Sequence, residues 1–217
     1  MNALKTALAM LAALLLAFAA AAVQAQAQNL PQLSREYIRL DPPRPVANPD
    51  KIEVIEFFYY GCPICYELQP LLSRWQFRAP DFIAMRRVPA VSTDNWENFA
   101  KLFYSLEIIG DLPRLHWPIY DNFHFDGIKL NEEAVMTDWV SRNGVNREKF
   151  IQTYRSQEVV AKLNAAREML KSYDIKGVPT VVIDGKYLTS ARMAGGTKEM
   201  MKVVDQLVEQ ARKDRAK

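Results

Sequence analysis

Cys62 and Cys65 are the only cysteines in the 217-residue chain, and they stand three positions apart. Thiols at that spacing can close a small structural disulfide, supply half of a zinc site, or cycle between dithiol and disulfide and so carry two electrons. A structural bridge over four residues would add only about 2 kcal/mol by the loop-entropy relation. A chain of this length has enough apolar sequence to form a core without it. Zinc would need two more ligands, and the only histidines, His116 and His124, lie eight apart in an aromatic stretch that suits surface or core positions. No metal and no other cofactor is expected.

The residues around the pair favour the redox chemistry. An apolar run, Phe57-Phe58-Tyr59-Tyr60, gives way at Gly61 to Cys62-Pro63-Ile64-Cys65-Tyr66. Pro63 suits the first turn of a helix, where a missing N–H costs nothing. Cys62 then falls at the helix N-terminus, where free N–H groups and the helix dipole favour an anion and lower a thiol pKa. Cys65 lies one turn further in, on the same side and close enough to bridge. The spacing thus assigns Cys62 as the exposed nucleophile and Cys65 as the shielded resolving thiol.

The elements that must hold this corner follow from periodicity. Ile52–Phe58 reads as a strand buried on both faces, although Glu56 lies inside it. Leu68, Leu71, Leu72 and Trp75 recur at helical spacing after Cys65, with Pro70 expected to kink that helix, and Phe82–Ala90 reads as the next strand. Strand, helix, strand builds a parallel pair with a crossover. Residues 94–173 carry no strand signal. They read as a run of amphipathic helices with starts at Asp94 (a box with Glu97), Asn131, Asn146 and Ser156, and with an aromatic stretch over Leu112–Phe125 that is irregular, a short helix being the alternative. Trp117 and Phe123 in this block are possible surface aromatics, with a core position the alternative. Strand character returns at Val181–Ile183, a turn at Asp184-Gly185 leads into Lys186–Thr189, and Thr197 is expected to cap a last helix. A short strand at Tyr37–Leu40 and a Pro-rich connection precede the first long strand. The fold class is α/β: one sheet domain, 26–93 and 174–217, interrupted by a helical insertion, 94–173.

The N-terminus reads as an export signal. Lys5, an apolar run to Val23 and the small-residue step Val23-Gln24-Ala25 predict cleavage after Ala25, with Ala27 the alternative. Removing residues 1–25 takes away one Lys and no acid, leaving 192 residues and a formal charge of +2. A balance so close to neutral, without an Arg/Lys run interleaved with aromatics, argues against nucleic acid as a partner. No later segment is apolar for the length of a membrane span.

Taken in order, Glu56-Phe57-Phe58, Cys62-Pro63-Ile64-Cys65-Tyr66, the helical block after Val88, and Gly177-Val178-Pro179-Thr180 leading into Asp184-Gly185-Lys186-Tyr187 resemble the DsbA family of periplasmic dithiol oxidases, in the thioredoxin superfamily. The resemblance runs through essentially the whole chain after the signal. It implies a thioredoxin-like fold with a large helical insertion, periplasmic localisation, a redox-active Cys62–Cys65 disulfide and a cis peptide before Pro179 opposite it. It also implies that Val178 and Pro179 offer backbone groups to an extended substrate chain, alongside Pro63 and Ile64. Glu56 becomes the buried acid that accepts or relays the proton of Cys65. The implied partners are reduced exported polypeptides and a quinone-linked membrane reoxidant, with the enzyme a monomer. One position departs from the pattern: many such oxidases carry His before the second cysteine, and this chain has Ile64. That loss predicts a milder oxidant than the family's strong members, whose reference potential is about −120 mV, with roughly 30 mV lost per pKa unit. A disulfide isomerase or reductase is the alternative enzyme, and a non-catalytic chaperone or metal-delivery module the alternative from another class. Only residues 26–51 precede the first long strand, which is short for the dimerisation domain that isomerases of this superfamily usually add.

Overall fold

The computed structural model describes residues 36–92 and 94–216. The expected export signal and its cleavage site lie outside the described residues, as does the side chain of Asp94. Five strands, β1 (Ile38–Arg39), β2 (Ile52–Phe58), β3 (Ile83–Pro89), β4 (Thr180–Ile183) and β5 (Tyr187–Ser190), form a single sheet in the order β1-β5-β4-β2-β3. Only β2 and β3 run parallel, joined through helix α1 (Pro63–Arg78); the other pairings are antiparallel. Between β3 and β4 the chain forms α2 (Asp94–Ile109), α3 (Leu112–His124), α4 (Glu133–Arg142), α5 (Arg147–Tyr154) and α6 (Gln157–Ser172). A short α7 (Ala191–Ala194) and a long α8 (Thr197–Arg215) follow β5.

Strand β2 is an interior strand, buried at all seven positions, and its alternation divides two cores. Ile52 and Val54 pack with Leu68 and Leu72 of α1 and with Met200, Val204 and Leu207 of α8. Ile55 and Phe57 belong to a second core with Phe99, Phe103, Leu115, Ile119 and Phe150 of the helical block. Phe58, at the strand end, joins this second core with its ring against Phe103 (5.3 Å) and Tyr60 (5.1 Å). The sheet is therefore covered on both faces, and the active-site turn leaves β2 where the helical core meets α1.

Several element boundaries differ from the sequence reading. Leu112–His124 takes the helical alternative, as a helix of 13 residues: Pro113 falls in its first turn, where it removes no intrahelical bond, and Pro118 is accommodated inside. Helix α4 starts from Glu132 rather than Asn131, with no side-chain cap; the Asn131 carbonyl instead accepts from Asn98 Nδ2 (2.9 Å). Gly196, not Thr197, caps α8, because the Thr197 hydroxyl donates to Glu67 (2.6 Å). Asn146 and Ser156 cap α5 and α6 as their types predict, accepting from Lys149 N and Val159 N. In the β4–β5 turn Asp184 and Gly185 both have positive φ (54° and 62°). A Cβ on Gly185 would lie 2.0 Å from the Arg44 carbonyl oxygen, so this position requires glycine.

Candidate active site

Cys62 caps α1: its backbone is extended (φ −88°, ψ 117°), and its sulfur accepts from the Cys65 N–H at 3.4 Å. Pro63 occupies the first turn without an N–H to waste. The preceding turn is closed by Cys62 N–H donating to the Tyr59 carbonyl (3.0 Å). Cys62 is partly exposed, Cys65 is fully buried, and both are free thiols. Opposite them, Val178-Pro179 is a cis peptide, and the Val178 carbonyl lies 3.6 Å from Cys62 Sγ. Ile64 is 44 % exposed between the two cysteines. Cys62, Pro63, Ile64, Val178 and Pro179 thus converge on one corner of the fold, with Cys65 buried beneath it.

The two thiols are driven apart electrostatically. The Cys65 thiol donates to Cys62 and, with the N–H groups of Cys65 and Ile64, outweighs partial burial to pull Cys62 down to about 6. Burial pushes Cys65 well up, and the neighbouring Cys62 adds to that. The sequence argument credited the helix start alone; the largest lowering comes instead from the partner thiol. Alkylation of the reduced protein at Cys62 should therefore follow a titration with its midpoint near pH 6, with Cys65 unreactive until far higher pH, as peptide mapping after iodoacetamide treatment would show.

Glu56 lies beneath this pair. It is completely buried and faces Arg87 across the β2–β3 register, with Arg87 Nε donating to Oε2 (3.0 Å) and Gln69 Nε2 to Oε1 (2.5 Å). Gln69 stands one turn beyond Cys65 on α1, and through it the carboxyl is tied to the helix that carries the inner thiol. Burial raises the Glu56 pKa, while Arg87 and Gln69 oppose the rise. Its charge in turn acts on Cys65, Tyr60 and Tyr120.

The sequence reading missed one part of the site and left another open between surface and core. One is a groove of about 890 Å3 running from Ile64 past Val178 and Pro179, with Ile38, Leu40 and Met193 in its walls. Its residues come from β1, the segment before β4, and α7, so no local pattern betrays it. The other is the aromatic wall from α3. Trp117 is 43 % exposed but stacks on Tyr66 (5.3 Å, 17°), whereas Phe123 packs half-buried against Phe99 (5.0 Å) rather than forming surface. His116 and His124 both reach Tyr60, and among the described residues no cluster of His, Cys, Asp or Glu could hold a metal ion.

A strand-to-helix corner carrying an activated and a shielded cysteine, faced by a cis-proline loop, defines a thiol:disulfide oxidoreductase. Residues 83–208 match the DSBA-like thioredoxin domain family. The thiol:disulfide interchange protein DsbA of Azotobacter vinelandii is 37 % identical over 181 residues, covering 83 % of this chain and 85 % of that protein. Its counterpart in Burkholderia cepacia is 35 % identical over 203 residues, 93 % of this chain and 96 % of that protein. The crystal structure of Pseudomonas aeruginosa DsbA superposes with a TM-score of 0.80 at 35 % identity, covering 84 % of this chain and 95 % of that one. The chain belongs to the DsbA family of thiol:disulfide interchange proteins, with the thioredoxin-like fold and the helical insertion that the resemblance implied. Among the described residues no helix is long and apolar enough to cross a membrane.

Proposed function

We propose that this enzyme works in the oxidising direction in the periplasm, introducing disulfides into reduced exported polypeptides through a Cys62–Cys65 disulfide. The observation that carries this reading is the Cys62 thiol held down at about 6 beside a Cys65 pushed up. The donors that hold Cys62 down act on its thiolate, which exists only in the reduced form, so they favour reduction of the enzyme and make its disulfide an oxidant. A substrate thiolate attacks Cys62 Sγ; the Cys62–Cys65 bond breaks, its electron pair goes to Cys65, and a mixed disulfide forms. Cys65 takes up a proton, matching the one the substrate thiol released on ionising. Glu56, protonated more readily than an ordinary carboxyl, is the group we assign to deliver it. The substrate's second thiol then attacks the mixed disulfide, Cys62 leaves as thiolate, and two electrons remain on the enzyme for a quinone-linked membrane reoxidant to remove.

The groove beside Ile64 and Val178-Pro179 suits an extended chain read through its backbone, with low sequence specificity. In this reading the sheet domain, 26–93 and 174–217, carries the thiols, the insertion, 94–173, walls the site, and the enzyme acts as a monomer without nucleic acid. Trapping tests it: Cys65→Ala should accumulate reductant-sensitive mixed disulfides on Cys62 with exported proteins, identifiable by mass spectrometry. The absence of such adducts from a folded, exported Cys65→Ala protein would overturn it. Ile64 makes a second expectation. Ile64→His should lower the Cys62 midpoint by about one unit and raise the reduction potential by roughly 30 mV, measured by equilibrium with glutathione.

A further inference from the structure

Both histidines of the chain bond the same residue, Tyr60, two positions before Cys62. His116 Nδ1 meets the buried Tyr60 hydroxyl at 2.7 Å, and His124 Nε2 meets the Tyr60 carbonyl oxygen at 2.7 Å. A carbonyl oxygen only accepts, so in the second bond Nε2 of His124 carries the proton and donates it. On the other side of the cysteine pair, Tyr66 stacks against His124 (4.9 Å, 14°) and donates its hydroxyl to Asp121 (2.8 Å). His116, Asp121 and His124 all lie on α3. One helix of the insertion therefore holds Tyr60, inside the turn that leads to Cys62, and Tyr66, the residue after Cys65.

We propose that His124 is a positioning residue for thiol–disulfide exchange, fixing through the Tyr60 carbonyl where Cys62 stands over the start of α1, with His116 holding the same residue by its hydroxyl. The link between the anchored residue and the nucleophile is Gly61, whose backbone has the widest freedom of any residue. Without a fixed Tyr60 carbonyl, the turn through the Tyr60–Gly61 peptide is closed only by the Cys62 N–H bond to the Tyr59 carbonyl (3.0 Å), and a shift of that peptide carries Cys62 with it. The N–H of Cys65 reaches the Cys62 sulfur at 3.4 Å, a contact that such a displacement weakens directly. Ile64 supplies no cation to compensate, so the thiolate depends on backbone donors and on the partner thiol, and hence on where the turn places it. The stack on Tyr66 is separate from the donated hydrogen bond, which lets the two be tested apart.

This inference rests on the exchange chemistry above, but its readouts are on the enzyme's own thiols and need no substrate protein. His124→Phe keeps a ring against Tyr66 and removes the donor; His124→Gln returns an N–H on a longer aliphatic stem. The expected result is a higher Cys62 alkylation midpoint in His124→Phe. Its glutathione equilibrium should shift about tenfold toward the enzyme disulfide, the scale of one hydrogen bond that serves a charged group and equal to about 30 mV for two electrons. His124→Gln should return both values most of the way. Wild-type values in His124→Phe overturn the proposal, as does a His124→Gln displaced as far as His124→Phe, since an N–H that restores nothing when returned is not what the Phe variant lost. If the Phe variant does not fold, His124→Leu, smaller and equally without a donor, takes its place against the same outcomes. An unchanged His124→Phe in an enzyme that Cys62→Ser inactivates overturns this inference alone. Activity that survives Cys62→Ser overturns the function instead.

Discussion

Cys62→Ser should reduce the rate of oxidative refolding of a reduced substrate protein to that of buffer alone, while leaving the fold intact. The fold survives because serine is among the best helix N-caps. Its hydroxyl can accept from the Cys65 N–H as the sulfur does at 3.4 Å, so α1 still begins at the same place. The chemistry does not survive, and the magnitudes say which step matters most. With a pKa of about 6, Cys62 is roughly 90 % thiolate at pH 7, against about 1 % for a thiol at its ordinary value of 9.0. That gain of about ninety-fold is largely returned as an attacking group. Nucleophilicity falls with pKa at a Brønsted slope of about 0.4–0.5, so three units cost about 15- to 30-fold. The net advantage in attack is only a few-fold. As a leaving group, by contrast, a low pKa helps without such a penalty, and Cys62 is the group that departs when the second substrate thiol resolves the mixed disulfide. Serine removes both the sulfur that is attacked and the sulfur that leaves. Refolding measured by recovered substrate activity, with circular dichroism as the control for structure, gives the result; a rate clearly above buffer from a folded Cys62→Ser protein would remove Cys62 from the mechanism.

How much of this arrangement can be read from sequence depends on the range of the interactions involved. The buried alternation of Ile52–Phe58, the Pro63 helix start and the cysteine spacing are local, and each gives the element it predicts. Glu56 is legible as an anomaly, since a carboxyl inside an apolar run needs a partner. That its partner is Arg87 follows only from the parallel register, which places the two opposite each other. Helix α3 is lost to its own composition: Pro113, Pro118 and a crowd of aromatics obscure the period, although Trp117, Asp121 and His124 stand at the i, i+4, i+7 positions of one face. With the stretch open between irregular chain and a short helix, nothing local places His116 and His124 together around Tyr60 and Tyr66. The groove is further out of reach. Its walls come from segments some 150 residues apart in the chain, and α7, at four residues, is too short to show periodicity.

The second large effect concerns stability rather than chemistry. Replacing Arg87 with Met, which keeps an apolar stem and removes the guanidinium, should cost about 3–5 kcal/mol at pH 8, because it leaves a buried carboxylate without its counter-charge. For a chain of this size that corresponds to a fall in Tm of roughly 6–20 °C. Glu56 would keep only Gln69 as a donor, and Arg87 would also give up its bond to Gln76 (3.0 Å). The sign of the pH dependence follows from Glu56. Burial already raises its folded pKa, and Arg87 is the largest influence opposing that rise. Without Arg87 the folded pKa moves further above the unfolded value. A carboxyl raised in the folded state binds its proton more tightly there, so stability is retained at low pH and lost as pH climbs through the folded pKa. The deficit of Arg87→Met should therefore shrink toward pH 5 and widen toward pH 8. Adding Glu56→Gln removes the stranded charge. The double variant should recover most of the loss and show little of the added pH dependence, since exchanging both members of a buried pair for neutral groups is often close to neutral. Urea unfolding of the two single variants and the double, at pH 5 and pH 8, closes this cycle. A deficit in Arg87→Met that is the same at both pH values, or that Glu56→Gln leaves in place, would mean that Arg87 stabilises the sheet by packing and not by balancing Glu56.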